Sequence, residues 1–124
     1  MIAVDASVLI PWLDLQDLPE TRRLSELAQS GDGVLAAVTI TEMLSDPKGS
    51  GLLDAALVAF PVLPIGEGYW ERAGVLRAKI RKAGNKAALG DTLIAQACID
   101  ADVPLLTRDG DFAAFVKLGG LKLA

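Results

Sequence analysis

The 124 residues include no histidine and a single cysteine. Without histidine there is no Ser-His-Asp or Cys-His triad, no histidine-driven RNA cleavage and almost no zinc chemistry. Any catalysis must run on carboxylates, hydroxyls, amines or a hard metal ion. The lone Cys98 cannot form an internal disulfide, and its helical spacing to Leu93, Ile94, Ala97 and Ala101 makes it a core thiol rather than a nucleophile. No apolar run is long enough to span a bilayer and no basic segment precedes the first strand, so the expectation is a cytoplasmic protein with no membrane insertion. Positive charge is also scarce: 12 Lys and Arg face 16 Asp and Glu, for a net charge of −4. That is the reverse of the basic footprint usual for phosphate binding, and a clustered acidic metal site accounts for it.

What the chain does have is apolar residues, 52% of the total, enough for one packed core and one domain over residues 1–124. The mean hydropathy is positive, which points to apolar surface beyond what a small monomer buries and so to self-association or a partner. Met1–Asp5, Val34–Val38, Val62–Ile65, Val103–Thr107 and Leu121–Leu123 read as short buried strands. Helices alternate with them. One passes through Val8, Leu9 and Trp12 with Pro11 as a distortion, and another opens at Pro19 and closes at Gly31. A third starts at Thr39 as N-cap, with Glu42 completing a capping box, and a fourth covers roughly Leu52 to Phe60. A long amphipathic helix spans about Glu67 to Ala83 with Tyr69, Ala73, Leu76 and Ile80 inward, the next begins near Asp91, and a short one runs from Asp109 to Lys117. This alternation predicts an α/β fold, a three-layer α/β/α sandwich on a mainly parallel sheet.

Asp5 lies where the first strand ends, Glu42 in the first helical turn after the second strand, Asp91 at a helix start and Asp109 just after the fourth strand. In an open parallel sheet the carboxyl ends of the strands share one edge, so the three that follow strands converge, and Asp91 joins them if its helix starts at that same edge. Each taken alone is also a good helix cap. As a set they repel one another unless a cation neutralises them. Oxygen ligands without histidine or thiolate suit Mg²⁺ or Mn²⁺, and such a site suits phosphodiester hydrolysis by a bound water.

The segments VDASVLI (4–10), TITEML (39–44), GDTLIAQA (90–97) and LLTRDGDF (105–112) resemble, in order and spacing, the successive motifs of PIN domains. The compact length resembles the VapC-type toxin ribonucleases of type II toxin–antitoxin systems. The resemblance implies a metal-dependent endoribonuclease and an RNA substrate. Asp5, Asp91 and Asp109 would be metal-site carboxylates, Glu42 an acid that binds metal or positions water, and Asp111 a further acid. Ser7 and Thr107 would be supporting hydroxyls, and a cognate antitoxin and a homodimer would be the partners. Many such toxins carry a glycine soon after the glutamate. Here Ser45-Asp46-Pro47-Lys48 intervenes before Gly49.

Six of the twelve basic residues fall between Arg72 and Lys86. At 100° per residue, Arg72, Lys79 and Lys82 share an arc of about 80° beside the apolar stripe, and Lys86 follows just before Asp91. They are either a solvated helix face or, with Lys86, an RNA-guiding edge; with the apolar stripe, the same surface is a candidate seat for a partner helix. Trp12, Tyr69 and Trp70 read as core or interface rather than base-stacking residues. The alternatives are a catalytically silent PIN-like RNA- or protein-binding domain and an acid-rich phosphatase or phosphotransfer domain. Asp5-Ala6-Ser7 lacks the second aspartate that a dehalogenase-type phosphotransfer motif needs.

Overall fold

The structure, a computed structural model, describes residues 1–47 and 49–124. Lys48, part of the segment between Glu42 and Gly49, lies outside the described residues. The elements in chain order are β1 (Ile2–Val4), α1 (Ala6–Leu13), α2 (Pro19–Ser30), β2 (Gly33–Val34), α3 (Ala37–Ser45), α4 (Ser50–Ala59), α5 (Tyr69–Lys82), α6 (Leu89–Ala101), β3 (Leu105–Leu106), a 3₁₀ turn (Gly110–Phe112) and α7 (Ala113–Gly119).

The sheet has the order β2-β1-β3 and is parallel throughout, with Ala3 level with Val34 on one side and Leu105 on the other. Single parallel bridges, Leu35 to Val62 and Leu105 to Leu123, extend both edges. The strands expected at 62–65 and 121–123 are therefore reduced to bridging residues. Pro61 and Pro64 flank the first and have no N–H to donate to a ladder, so only Leu63 donates, to the carbonyl of Leu35.

Successive strand residues point to opposite faces, and both faces are covered. Ala3, Val34 and Leu105 enter one core with Leu76 and Ile80 of α5, Ile94 and Cys98 of α6, and Phe112 and Phe115. Val4, Leu35 and Leu106 enter the other with Val8 and Leu9 of α1, Leu24 and Leu27 of α2, Met43, and Phe60. This is the three-layer parallel sandwich expected from the alternation. Tyr69, Ala73, Leu76 and Ile80 are all buried as their helical spacing requires. That burial corrects one expectation: the apolar stripe of α5 is core and cannot seat a partner helix.

The second strand is shorter than its apolar run, because α3 begins at Ala37 and takes over what reads as strand up to Val38. Ala36 is the N-cap of α3, so Thr39 and Glu42 form no capping box. Pro11 sits inside α1 without ending it, and α2 has the expected proline at its start and Gly31 at φ +75° at its close. Gly49 stands where an added Cβ would fall 1.7 Å from the carbonyl oxygen of Met43. A glycine is thus required after Glu42 here too, but later in the chain, where the start of α4 presses on the last turn of α3.

Candidate active site

Every strand of the sheet ends at the same edge, and the acidic residues gather there. Asp5 follows β1 directly, is buried, and makes no side-chain cap to α1 although it occupies the N-cap position. Its Oδ2 instead accepts hydrogen bonds from Ser7 Oγ at 2.7 Å and Thr107 Oγ1 at 2.8 Å. Those two hydroxyls are in turn fixed by backbone donors after β3: Arg108 N–H donates to Ser7 Oγ at 2.9 Å and Asp109 N–H to Thr107 Oγ1 at 3.0 Å. Ser7 and Thr107 are thus the hydroxyls next to Asp5. Each spends its proton on Asp5, which ties the end of β1 to the turn after β3.

Asp109 Oδ1 accepts the N–H of Asp111 at 2.9 Å and so does cap the 3₁₀ turn. Its other carboxylate oxygen remains for the cluster. Asp91 lies in the first turn of α6, whose N-cap is Ala88, so Asp91 is not a cap. One carboxylate oxygen from each of Asp91, Asp109 and Asp111 lies within 4.8 Å of the others. Of the expected acids Asp5, Asp91 and Asp109, with Glu42 and Asp111 as further candidates, the trio contains Asp91, Asp109 and Asp111, and Asp5 stands beside it with one oxygen held by hydroxyls.

Glu42 reaches the cluster from α3. A Cβ added at Gly90 would stand 3.6 Å from Glu42 Oε2, which places the carboxylate against the residue preceding Asp91. Its Oε1 is buried with no hydrogen-bond partner, an arrangement that costs free energy unless something else satisfies it. Burial first, then the charges of Asp5, Asp91 and Asp109, push Glu42 up to about 7. Burial, then Asp109, Asp5 and Asp111, push Asp91 up to about 6. Among the described residues neither acid forms a salt bridge. A cluster of this kind can hold a hard divalent ion or take up protons.

Beside the cluster runs an open cleft of about 610 Å³ lined by Arg77, Arg81, Asn85, Lys86, Ala87, Ala88, Asp91, Gly110, Asp111, Ala113 and Ala114. Of the four basic residues singled out from the sequence, Lys86 lines it. Arg72 is committed elsewhere, in a bidentate pair with Asp100 at 3.0 and 2.6 Å. Lys79 lines a separate apolar depression with Val75 and Leu118, and Lys82 is exposed on neither. The 80° arc identified from the sequence is therefore the wrong face of α5 for this cleft. Arg77 and Arg81 were missed, although their i, i+4 spacing ahead of Lys86 is a signal. Trp12 donates to Ser25 Oγ and packs on Phe60, while the Tyr69 hydroxyl donates to the Leu93 carbonyl; both are structural.

A family profile described as PIN domain matches residues 2–118. The chain belongs to the PIN-domain family. Solved structures resembling this PIN domain include VapBC2 from Rickettsia felis bound to a DNA fragment from its promoter, at a TM-score of 0.79 and 17% identity over 100% of this chain and 98% of that one. VapBC-1 from nontypeable Haemophilus influenzae gives 0.77 and 17% over 100% and 97%. VapBC-5 from Mycobacterium tuberculosis, a member of the VapBC family of toxin–antitoxin systems, gives 0.65 and 21% over 91% and 88%. A search of curated proteins found no match to this sequence. The four motifs that suggested a PIN domain all fall within the matched residues.

Proposed function

We propose that this PIN domain is a divalent-metal-dependent endoribonuclease and the toxin of a toxin–antitoxin pair. The observation that carries the reading is the uncompensated carboxylate group: Asp91, Asp109 and Asp111 within 4.8 Å, with Glu42 leaving a buried oxygen unpartnered beside them. An all-oxygen donor set with a spare buried acceptor fits Mg²⁺ or Mn²⁺, and Asp91, Asp109 and Asp111 would hold the ion. A divalent ion bound there supplies Lewis-acid polarisation of a phosphate and a more acidic water.

The chain's own groups do the rest. The Glu42 carboxylate would accept the proton of the attacking water as the P–O bond to the leaving oxygen breaks, a role suited to a group raised to about 7 before the cluster is neutralised. Ser7 and Thr107 fix Asp5, whose charge adds to the field that draws a cation in. No side-chain nucleophile is required.

The names of the similar structures support the antitoxin half of the reading. So do Leu15, Val58, Val75 and Trp70, which are 91%, 90%, 71% and 60% exposed. Large apolar side chains in water fit a chain that works in an assembly, with an antitoxin and as a homodimer. The test is cleavage of mixed-sequence RNA by purified protein in Mg²⁺ or Mn²⁺. Excess EDTA should abolish cleavage, re-addition of metal should restore it, and Asp109→Asn should reduce it by about 10²–10⁴-fold. Undiminished cleavage in chelator would overturn the metal mechanism, and undiminished cleavage by a well-folded Asp109→Asn protein would remove that residue from the site.

A further inference from the structure

The cleft beside the acids contains cations that pair with nothing. Arg81 and Lys86 line it and have no ion-pair or hydrogen-bond partner among the described residues. Arg77 donates its Nε to the Ala87 carbonyl at 2.8 Å, which leaves the terminal nitrogens of its guanidinium available. Asp91 and Asp111 line the same cleft, yet among the described residues no cation comes within salt-bridge distance of either. Pairing would have silenced both sets of charges. Kept apart, the acids remain open to a metal ion and the bases to an anion.

The rest of the lining bears on which anion. Ala87, Ala88, Gly110, Ala113 and Ala114 are small, and no aromatic ring borders the cleft. A surface without a stacking platform has little grip on bases, whereas guanidinium and ammonium groups bind phosphate oxygens. The side-chain amide of Asn85 offers a further donor.

We propose that Arg77, Arg81 and Lys86 form a backbone-reading subsite. It holds the phosphates of the RNA strand adjoining the scissile bond and is indifferent to the bases it carries. This rests on the nuclease reading above and specifies where the strand lies. Sequence preference is then set on the other side of the acids, not here.

The test uses the full chain with Asp109→Asn to prevent cleavage, and fluorescence anisotropy on a single-stranded RNA oligonucleotide with Mg²⁺ at several salt concentrations. Arg81→Ala and Lys86→Ala should each weaken binding about 3- to 10-fold at low salt and lower the salt slope by about 0.7. Lys79→Ala and Lys82→Ala, on other faces of α5, should change neither. An oligonucleotide with abasic positions throughout one flank should bind within about twofold of the intact one when that flank occupies the cleft, so one of the two single-flank abasic versions should retain affinity. Circular dichroism verifies that each variant is folded. Unchanged affinity and slope in both Arg81→Ala and Lys86→Ala would overturn the subsite, and so would loss of binding with either abasic flank. If the wild-type chain cuts RNA while these variants bind normally, the nuclease reading survives and the subsite does not. If the wild-type chain neither binds nor cuts RNA, both fall.

Discussion

Glu42 and Asp91 resist ionisation because each enters partly buried surroundings already occupied by negative charge. A raised pKa means that the folded chain holds the proton more tightly than the unfolded chain does. Between the ordinary carboxylate range and the raised values, the native state binds more protons, so stability falls as pH rises. The windows are 4.5 to about 7 for Glu42 and 3.8 to about 6 for Asp91. Metal-free protein should therefore lose thermal stability from about pH 4 to pH 7, and saturating Mg²⁺ should flatten the profile. Glu42→Gln should raise the Tm of the metal-free chain at pH 8 by roughly 2–6 °C, allowing for solvent screening of a half-exposed group. Scanning calorimetry across pH, with and without metal, reads this directly, and a Tm that climbs with pH in EDTA would refute it. At the same scale, Ser7→Ala and Thr107→Val each remove a donor to Asp5 and an acceptor for the turn after β3. Each should lower kcat by about 10- to 100-fold, with KM for RNA changed less, because the hydroxyls orient charge rather than touch substrate. A kcat within twofold of wild type would reduce them to local turn caps.

The individual acids were legible in the sequence, but their local roles were not. Thr39 and Glu42 have the spacing of a capping box, yet α3 starts at Ala37 with Ala36 as its N-cap, and Thr39 is buried inside the helix. The local rule lost to the packing of α3 under the sheet edge. Asp109 is both cap and cluster member, which shows why the two readings could not be separated residue by residue.

Among the elements, helix faces and strand centres were read correctly where periodicity is strong, as for Tyr69, Ala73, Leu76 and Ile80 of α5. Strand lengths were overestimated because an apolar run also continues into a helix start at Ala37, or stops at a proline at Pro64. The basic face of α5 was misplaced for a different reason. The direction in which a solvent-facing arc looks depends on the neighbours of the helix, and these are α6 and α7, which sequence spacing does not reveal. The join between α3 and α4 gives a prediction at this scale. A methyl group on Gly49 would overlap the Met43 carbonyl, so Gly49→Ala should destabilise the chain by about 1–3 kcal/mol. Because Glu42 lies on the same last turns of α3, activity should fall with stability. Urea denaturation measures the first, and a C_m equal to that of wild type would show that the helix ends slide apart at no cost.

For the whole molecule, the proposal joins an RNA-cutting site to a chain rich in exposed apolar side chains. Expressed alone, it should arrest growth of its host, and Asp109→Asn should not. Co-expression with the neighbouring open reading frame should restore growth and yield a co-purifying complex. Normal growth at confirmed expression of the wild-type chain would count against the toxin role and leave the nuclease reading intact.

The fold class was legible because helices separate every pair of successive strands, and the sheet order is known only once the pairing is seen. β1, earlier in the chain than either neighbour, lies at the centre of the sheet, between β2 and the late β3. Asp5 is held by Thr107, 102 residues further along. During translation, then, the emerging chain carries Asp5 long before the ribosome has added the Thr107 hydroxyl that holds it, and long-range parallel pairing is slow in any case. On the proposed ribonuclease reading, the message would be read to beyond residue 107 before the site could close on any RNA, and a partner made in the same interval could already be waiting.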